Sequence, residues 1–173
     1  MNTNYELLIQ KLDGFIRKFY LNKLLRGSLL FVGLLFGFYL FISLFEYQLY
    51  FSSAVRKFLL VGFIGTSATA FVFLVAQPLV HYLKLGKQIS HEQAATIIGK
   101  HFSDVKDKLL NILQLKQQSQ NAYNKELIEA SIHQKTESIK LVPFSNAINL
   151  NENRKYLKYA LPPLFVLLFL LIA

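Results

Sequence analysis

Two long stretches without an acidic, basic or histidine side chain constrain the fold of this chain more than any other feature. Residues 27–45 and 58–79 contain no Asp, Glu, Lys, Arg or His. Because an α-helix rises about 1.5 Å per residue, each stretch covers about 30 Å, the thickness of a bilayer's hydrocarbon core. The sequence therefore predicts an all-α membrane protein with a transmembrane hairpin in residues 27–79.

A third apolar run extends over residues 159–173. A helix of that length covers only about 22 Å, and its last carbonyls would lie in lipid without donors. We therefore expect a third transmembrane helix that is cut short, in a natural chain that continues to the far side of the membrane.

The distribution of Lys and Arg predicts the orientation. Residues 1–26 carry five, residues 46–57 carry two, and residues 80–158 carry twelve. Because Lys and Arg accumulate on the cytoplasmic side, the N-terminus and residues 80–158 are predicted to be cytoplasmic. The first span begins only at Gly27, too far from the N-terminus for a cleaved secretory signal, and is expected to be retained.

The N-terminal segment, residues 1–26, is predicted to be an amphipathic helix. Its apolar positions recur every three or four residues, at Tyr5, Leu8, Leu12, Phe15, Ile16 and Phe19. One interpretation places this helix on an anionic leaflet, with its basic residues near lipid head groups and its aromatics in the acyl boundary. The alternative packs the same face on the protein's own cytoplasmic segment.

Small residues recur every four positions within both long runs. Such stripes let helix backbones approach closely, so we expect them to pack the first span on the second. A homodimer through the first span is the second hypothesis. The predicted packing residues are Gly33, Gly37, Gly62, Gly65, Thr66, Thr69 and Ala70. No Asp, Glu, Lys, Arg or His lies in the spans, a composition that favours an anchor over a proton or ion pathway.

The cytoplasmic segment, residues 80–158, is predicted to form three short helices. Ser90 and Gln93 make a capping box for the first, and Ser103 caps a second that continues to about residue 116. A polar linker at 117–121 precedes a third helix at about 122–140, with Tyr123 and Leu127 facing inward. The residues expected to form the core or dock a partner are Ala94, Ile98, Phe102, Leu109, Ile112 and Leu113.

Little in this segment predicts chemistry. Residues 88–150 carry seven Lys and six acidic side chains, so the net charge of +9 resides beside the apolar runs and does not predict nucleic-acid binding. His91, His101 and His133 lack metal-ligand spacing, and the chain has no Cys. We therefore expect no enzyme activity, no cofactor, no metal and no small-molecule substrate.

The order of these features resembles the N-terminal region of a family of very large Gram-negative envelope proteins of unknown function. That resemblance implies three N-terminal spans ahead of a long periplasmic part. Phe102 to Val105 stand where the family has a Phe-Pro-Glu-Leu turn, and Lys108 stands where it has Arg. The stretches that carry the resemblance are residues 89–95 (ISHEQAA), 98–102 (IGKHF) and 107–115 (DKLLNILQL).

Together these features predict a membrane anchor and scaffold or assembly module of a larger bacterial inner-membrane protein. Its expected partners are the lipid bilayer and other membrane proteins or a second copy of itself. The alternative function is an accessory subunit of a transporter or channel complex.

Overall fold

The structure, a computed structural model, describes residues 4–119 and 125–172. These residues contain helices and turns and no β-strand, which confirms the prediction of an all-α fold. The α-helices are α1 (Asn4–Leu49), α2 (Ser53–Phe71), α3 (Gln77–Tyr82), α4 (His91–Gly99), α5 (Ser103–Ser119), α6 (Lys125–Ile139) and α7 (Arg154–Ile172). A π-helical turn, Val72–Ala76, joins α2 to α3, and two 3-10 turns, Phe144–Ala147 and Leu150–Asn153, precede α7.

Three helical stretches are long and apolar enough to cross a membrane: Asn4–Leu49, Ser53–Tyr82 and Phe144–Ile172. Each begins or ends beyond the charge-free run that predicted it. The first run is part of a much longer helix, and α7 begins at Arg154, ahead of the predicted start at Tyr159. The difference arises because the loss of charge marks where a helix can enter lipid, whereas the helix itself continues through charged residues.

The described residues fall into two compact units. The globular unit comprises the described residues within Met1–Phe19 and Lys87–Asn149, and the span unit comprises those within Tyr20–Gly86 and Leu150–Ala173. Helix α1 contributes residues 4–19 to the globular unit and residues 20–49 to the span unit.

The globular unit has an apolar core built from α4, α5, α6 and the start of α1. Ser90 caps α4 as predicted, because its hydroxyl accepts from the Gln93 backbone N–H at 3.2 Å and the Gln93 side chain accepts from the Ser90 N–H at 3.0 Å. The buried apolar side chains of this unit are Leu8, Leu12, Phe15, Ile16, Ala94, Ala95, Ile98, Val105, Leu109, Ile112, Leu113, Ile132, Ile139, Phe144, Ala147 and Ile148.

Two details of the predicted cytoplasmic helices were wrong. Helix α5 continues to Ser119, through residues that were expected to begin a linker. Leu127 was expected to face inward, but it is 73% exposed on α6, whereas Ile132 and Ile139 on the same helix are buried. Tyr123 and the rest of the expected linker lie outside the described residues.

The apolar face of the N-terminal helix is also used within the globular unit. Leu12 and Phe15 are fully buried, and Leu8 and Ile16 nearly so. Two of its cations are engaged there as well, since Lys11 donates to the Lys140 carbonyl and Lys18 donates to the Ser145 carbonyl at 2.8 Å. Side chains in a protein core cannot at the same time insert into acyl chains. The interfacial interpretation is therefore wrong for this face, and packing on the chain's own helices replaces it.

Candidate functional site: a basic cavity between the first two apolar helices

Helix α1 and the returning helices α2 and α3 form an antiparallel pair with a regular seam. The rings of Tyr20 and His81 stack with centroids 5.1 Å apart, those of Phe31 and Phe71 lie 5.5 Å apart, and those of Phe38 and Phe63 lie 5.8 Å apart. Along this seam α1 advances from position 20 to 31 and then to 38, while the partner helices return from 81 to 71 and then to 63. The steps are 11 and 7 residues on α1 and 10 and 8 residues on the returning chain, so each helix advances by about three turns and then about two turns between ring pairs.

The tip of this hairpin is short. Only residues 50–52 separate α1 from α2, and the Arg56 Nε atom lies 2.9 Å from a Glu46 carboxylate oxygen across the turn. Tyr50 turns the chain with φ 47°, in the left-handed region. The segment between the two charge-free runs, residues 46–57, is therefore mostly helical.

The closest approach of the two helices is at Gly27, opposite the π-helical turn. A Cβ atom at Gly27 would overlap the Leu74 carbonyl oxygen, so only glycine fits there. The glycine hydrogen in that direction points at the carbonyl, the geometry of a Cα–H···O contact. Pro78 explains why this carbonyl can face α1, because proline has no N–H to donate to residue 74. Just before Pro78, the Gln77 N–H donates to the Val72 carbonyl, five residues back, which is the hydrogen-bond spacing of a π-helical turn.

Helix α7 packs on another side of α1. Asn153 donates its side-chain N–H to the Asn22 side-chain oxygen at 2.6 Å, and the Arg26 guanidinium lies 5.0 Å from the centre of the Tyr156 ring. A Cβ at Gly33 would lie 2.7 Å from the Tyr159 carbonyl oxygen. Residue numbers rise together along both helices, so α7 runs parallel to α1.

These contacts correct the predicted packing stripes. Gly33 does allow a close approach, but its partner is α7 rather than the second span, and α7 lies against Gly33 alone of the two glycines, Gly33 and Gly37, through which a homodimer was proposed. Gly37, Gly62 and Gly65 have no described atom within 4 Å of the position that a Cβ would occupy. None of the three therefore makes a close backbone contact with another helix in the described part of the chain.

The remaining predicted packing residues divide between the seam and the surface. Thr66 and Ala70 line a small cavity of about 140 Å³ beside Phe31 and Phe38. Thr69 is exposed, and its hydroxyl donates to the Gly65 carbonyl at 2.8 Å within its own helix. Thr66 likewise donates to the Gly62 carbonyl at 2.8 Å, so neither hydroxyl needs a partner on another helix.

A larger cavity of about 490 Å³ lies between α1 and the turn that joins α2 to α3. The lining residues are Tyr20, Lys23, Arg26, Gly27, Leu30, Phe73, Leu74, Gln77, Pro78 and His81. Its polar lining comes from residues 20–26 of α1 and from Gln77 and His81, and its apolar lining comes from residues 27–30 and 73–74. The cavity is therefore polar at one end and apolar at the other.

This change in polarity coincides with the boundary of the apolar runs. Arg26 is the last charged residue before the run at 27–45, and on the returning chain the run at 58–79 ends just before His81. The antiparallel seam brings these two boundaries to within about five residues of each other along the helix axis, because Tyr20 faces His81 and Gly27 faces Leu74. Lipid head groups lie at this level in a membrane protein.

The cavity has a positive electrostatic character. Lys23 and Arg26 lie one helical turn apart on α1, and no carboxylate is among the lining residues in the described part of the chain. The His81 Nδ1 atom lies 2.7 Å from the Gln77 carbonyl, which can only accept, so Nδ1 carries a hydrogen. The span unit as a whole has eight Lys and Arg and two acidic residues, one of which, Glu46, is paired with Arg56.

No local pattern in the sequence groups these lining residues. Small-residue spacing points to other positions in the spans, and the histidines weighed as metal ligands, His91, His101 and His133, do not include His81. The grouping depends on the register between two helices, which no single segment contains. The sequence feature that could have located the cavity is the pair of positions where the charge-free runs meet the charged flanks, residues 26 and 79. An antiparallel hairpin brings these two positions near each other.

The globular unit holds the residues predicted as its core or as docking sites. Ala94, Ile98, Leu109, Ile112 and Leu113 are buried, and Phe102 is half-buried. Buried side chains are not exposed to a partner, so contact with another protein must use other positions. The most exposed large apolar side chains of this unit in the described residues are Leu127 (73%) and Leu141 (94%).

Polar groups tie the start of α1 to the other helices of the globular unit. His91 Nε2 lies 2.9 Å from an Asp13 carboxylate oxygen, and His133 Nε2 lies 2.9 Å from the Asn4 side-chain nitrogen. Asn4 also donates to a Glu137 carboxylate oxygen at 3.0 Å. Among the described residues, no three His, Asp or Glu side chains come together as metal ligands.

Three ionisable groups of this unit have shifted pKa values. A hydrogen bond from Ser90 lowers the pKa of Glu92, and a hydrogen bond from Lys140 lowers the pKa of Glu137. Burial, and next the charge of Glu92, raises the pKa of Tyr5. Each of these shifts has a structural cause within the fold of the unit.

No protein-family model, curated protein or solved structure matches this chain.

Proposed function

We propose that this chain is a membrane anchor and scaffold module, in which the span unit holds the globular unit at a membrane surface. The observation that carries the proposal is the exposure of large apolar side chains along the span unit. Leu34 is 58% exposed, Phe41 57% and Phe58 77%, on helices long enough to cross a bilayer. Such a surface is stable when lipid covers it.

The proposed site is the bacterial inner membrane, with the N-terminus and residues 80–158 in the cytoplasm. The distribution of five, two and twelve Lys and Arg supports this orientation. The resemblance to the N-terminal region of large Gram-negative envelope proteins supports the further proposal that the module belongs to a larger protein. The length of the native open reading frame tests that step directly.

Single cysteines in this cysteine-free chain test the topology. Ser52 and Gln134 are both exposed, Ser52 at the hairpin tip and Gln134 on α6. With an impermeant thiol reagent on cells whose outer membrane is permeable, we expect Ser52→Cys to react and Gln134→Cys to react only after lysis. Reaction of Gln134→Cys alone in intact cells would invert the orientation, and equal reaction of both would contradict a spanning hairpin.

The scaffold role predicts a partner surface on the globular unit. Leu127 and Leu141 are the most exposed large apolar side chains described there, so a photocrosslinking amino acid at either position should give a discrete crosslinked product in cells. The same amino acid at Gln134, a polar exposed position on the same helix as Leu127, is the matched control. Absence of any product at positions 127 and 141 would contradict the scaffold role.

The alternative function, an accessory subunit of a transporter or channel complex, is favoured by a different observation. Gly62 and Gly65 lie exposed on α2 with no described neighbour within 4 Å, so a partner helix could approach there. Copurification of a polytopic protein that is lost in Gly62→Leu and Gly65→Leu would support this function over the scaffold.

A further inference from the structure

We propose that the cavity lined by Lys23, Arg26, Gln77 and His81 binds the phosphate of an anionic phospholipid, with the start of an acyl chain against Leu30, Phe73 and Leu74. This proposal rests on the proposed membrane anchoring and adds a specific ligand site to it. The chemistry that the site recognises is a phosphate ester, and the source to which we commit it is a membrane lipid.

The donors suit a phosphate. Lys23 and Arg26 are one turn apart on α1 and line the same cavity, so both cations can reach one anion. Arg26 is positioned by the face of the Tyr156 ring, 5.0 Å from its guanidinium, which restricts the side chain without neutralising its charge. Gln77 adds an amide donor at the opposite wall.

The volume and the polarity favour a lipid over a free phosphate ester. A cavity of about 490 Å³ is far larger than one phosphate group and lies within the usual range for bound organic ligands. Its apolar end is formed by residues inside the charge-free runs, on the side where acyl chains lie. A soluble phosphate ester would leave that end without an apolar partner.

The polar end also differs from an ordinary basic membrane flank. Lys155 and Lys158 on α7 belong to the same unit and lie near the same boundary in sequence, but neither lines the cavity. Each lies over a neighbouring aromatic ring, Lys155 at 5.4 Å from Tyr156 and Lys158 at 5.0 Å from Tyr159. Neutralising Lys155 and Lys158 therefore removes the same amount of charge as neutralising Lys23 and Arg26, and it leaves the lining of the cavity unchanged.

The test compares two double variants of the full chain, Lys23→Gln with Arg26→Gln and Lys155→Gln with Lys158→Gln. Both are purified in detergent containing phosphatidylglycerol, and native mass spectrometry counts the lipids retained per chain. If each cation that lines the cavity contributes about fivefold to the affinity for the bound lipid, the cavity variant should lose on the order of tenfold or more in retention. The α7 variant should retain lipid as the wild type does.

Three further arms make the result decisive. A charge-conserving variant, Lys23→Arg with Arg26→Lys, should keep the lipid, which separates binding from misfolding. Phosphatidylcholine, whose phosphate carries a choline cation that Lys23 and Arg26 repel, should be retained at least tenfold less than phosphatidylglycerol. Glycerol 3-phosphate at millimolar concentration should not displace the lipid, because it lacks the acyl chain that fills the apolar end.

Equal loss of lipid in the two double variants would overturn the proposal in favour of a non-specific basic surface. Displacement of phosphatidylglycerol by glycerol 3-phosphate would assign the cavity to a soluble phosphate ester instead. Either result together with the expected cysteine labelling would reject the lipid site and leave the anchoring intact. Failure of the labelling pattern would reject the anchoring itself.

Discussion

Two stretches of a single helix, residues 4–19 and 20–49 of α1, use their apolar side chains in opposite ways. In the first, Leu12 and Phe15 are fully buried in the core of the globular unit. In the second, Phe41 and Leu44 are 57% and 59% exposed although the stretch is more apolar. The backbone conformation is the same in both, so the difference lies in the surroundings that each stretch requires.

The difference shows what holds each unit together. In the globular unit, burial of large apolar side chains away from water supplies the main stabilisation. In the span unit, lipid is as apolar as the side chains, so helix association depends on close packing and on contacts between backbones. Gly27 against Leu74 and Gly33 against Tyr159 are such contacts, and the Phe31–Phe71 and Phe38–Phe63 ring pairs pack the rest of the seam between α1 and α2.

The largest expected effect comes from truncating one phenylalanine in each stretch. Phe15→Ala should destabilise the globular unit by about 3–5 kcal/mol, the usual range for a fully buried phenylalanine. Phe41→Ala removes an exposed ring that contacts Phe45 within the same helix, and should cost less than about 1 kcal/mol. Chemical unfolding of the full chain in detergent, followed by circular dichroism and by protease resistance of residues 87–149, measures both.

Similar losses in the two variants would contradict the comparison. It would show that the second stretch of α1 also depends on burial of its large side chains.

A smaller effect is expected from adding one methyl group at the glycines of the span unit. Gly27→Ala places a Cβ against the Leu74 carbonyl, and Gly33→Ala places one against the Tyr159 carbonyl. Since backbone atoms must move in both cases, each should destabilise by about 1–3 kcal/mol. The thermal stability of the full chain in detergent is the measurement.

Gly37→Ala and Gly65→Ala are the matched controls. No described atom lies within 4 Å of either Cβ position, so both should be neutral or stabilising by up to about 1 kcal/mol, through the higher helix propensity of alanine. A loss at Gly37 equal to that at Gly33 would restore the four-residue stripe as the packing motif.

The sequence predicted the features that depend on local pattern. Charge-free runs located three membrane-capable helices, and the spacing of Ser90 and Gln93 located the start of α4. These two predictions succeed because helix length and helix capping depend on residues that lie close together in the chain.

Features that depend on pairing between distant elements were not predictable in this way. The spacing of Gly33 and Gly37 indicates that a backbone can approach, but not which helix approaches, and α7 occupies the place assigned to the second span. The inward placement of Leu127 failed for the same reason, because the pattern along α6 allows more than one apolar face. The cavity at Arg26 appears only when α1 is set in register with the π-helical turn.

A weaker effect should follow from loss of the ion pair at the hairpin tip. Glu46 and Arg56 are about half exposed, so Glu46→Gln should destabilise the span unit by about 0.2–1 kcal/mol. The effect should shrink in 1 M salt, where the screening length falls to about 3 Å. Melting temperatures of the wild type and Glu46→Gln at low and high salt measure it, and a difference that persists unchanged in high salt would exclude screening of an exposed pair.

The smallest expected effect is an acid sensitivity confined to the globular unit. The hydrogen bond from Ser90 lowers the pKa of Glu92 in the folded protein, so folding favours the carboxylate. This contribution is present above the unfolded pKa of about 4.3 and is lost as the pH falls through the lower folded pKa. The urea midpoint of the globular unit should therefore decline below about pH 4.3, and less steeply in Glu92→Gln.

Two hydroxyl variants on the same helix identify the cause. Ser90→Ala removes the hydrogen bond to Glu92 and should flatten the acid response in the same way, with an additional loss of about 1 kcal/mol at all pH values because the α4 cap is also lost. Thr96→Ala removes a hydroxyl that donates to the Glu92 backbone carbonyl at 3.0 Å, and should keep the steep response. A wild-type acid response in Ser90→Ala would show that its hydroxyl does not hold the Glu92 carboxylate in its charged form.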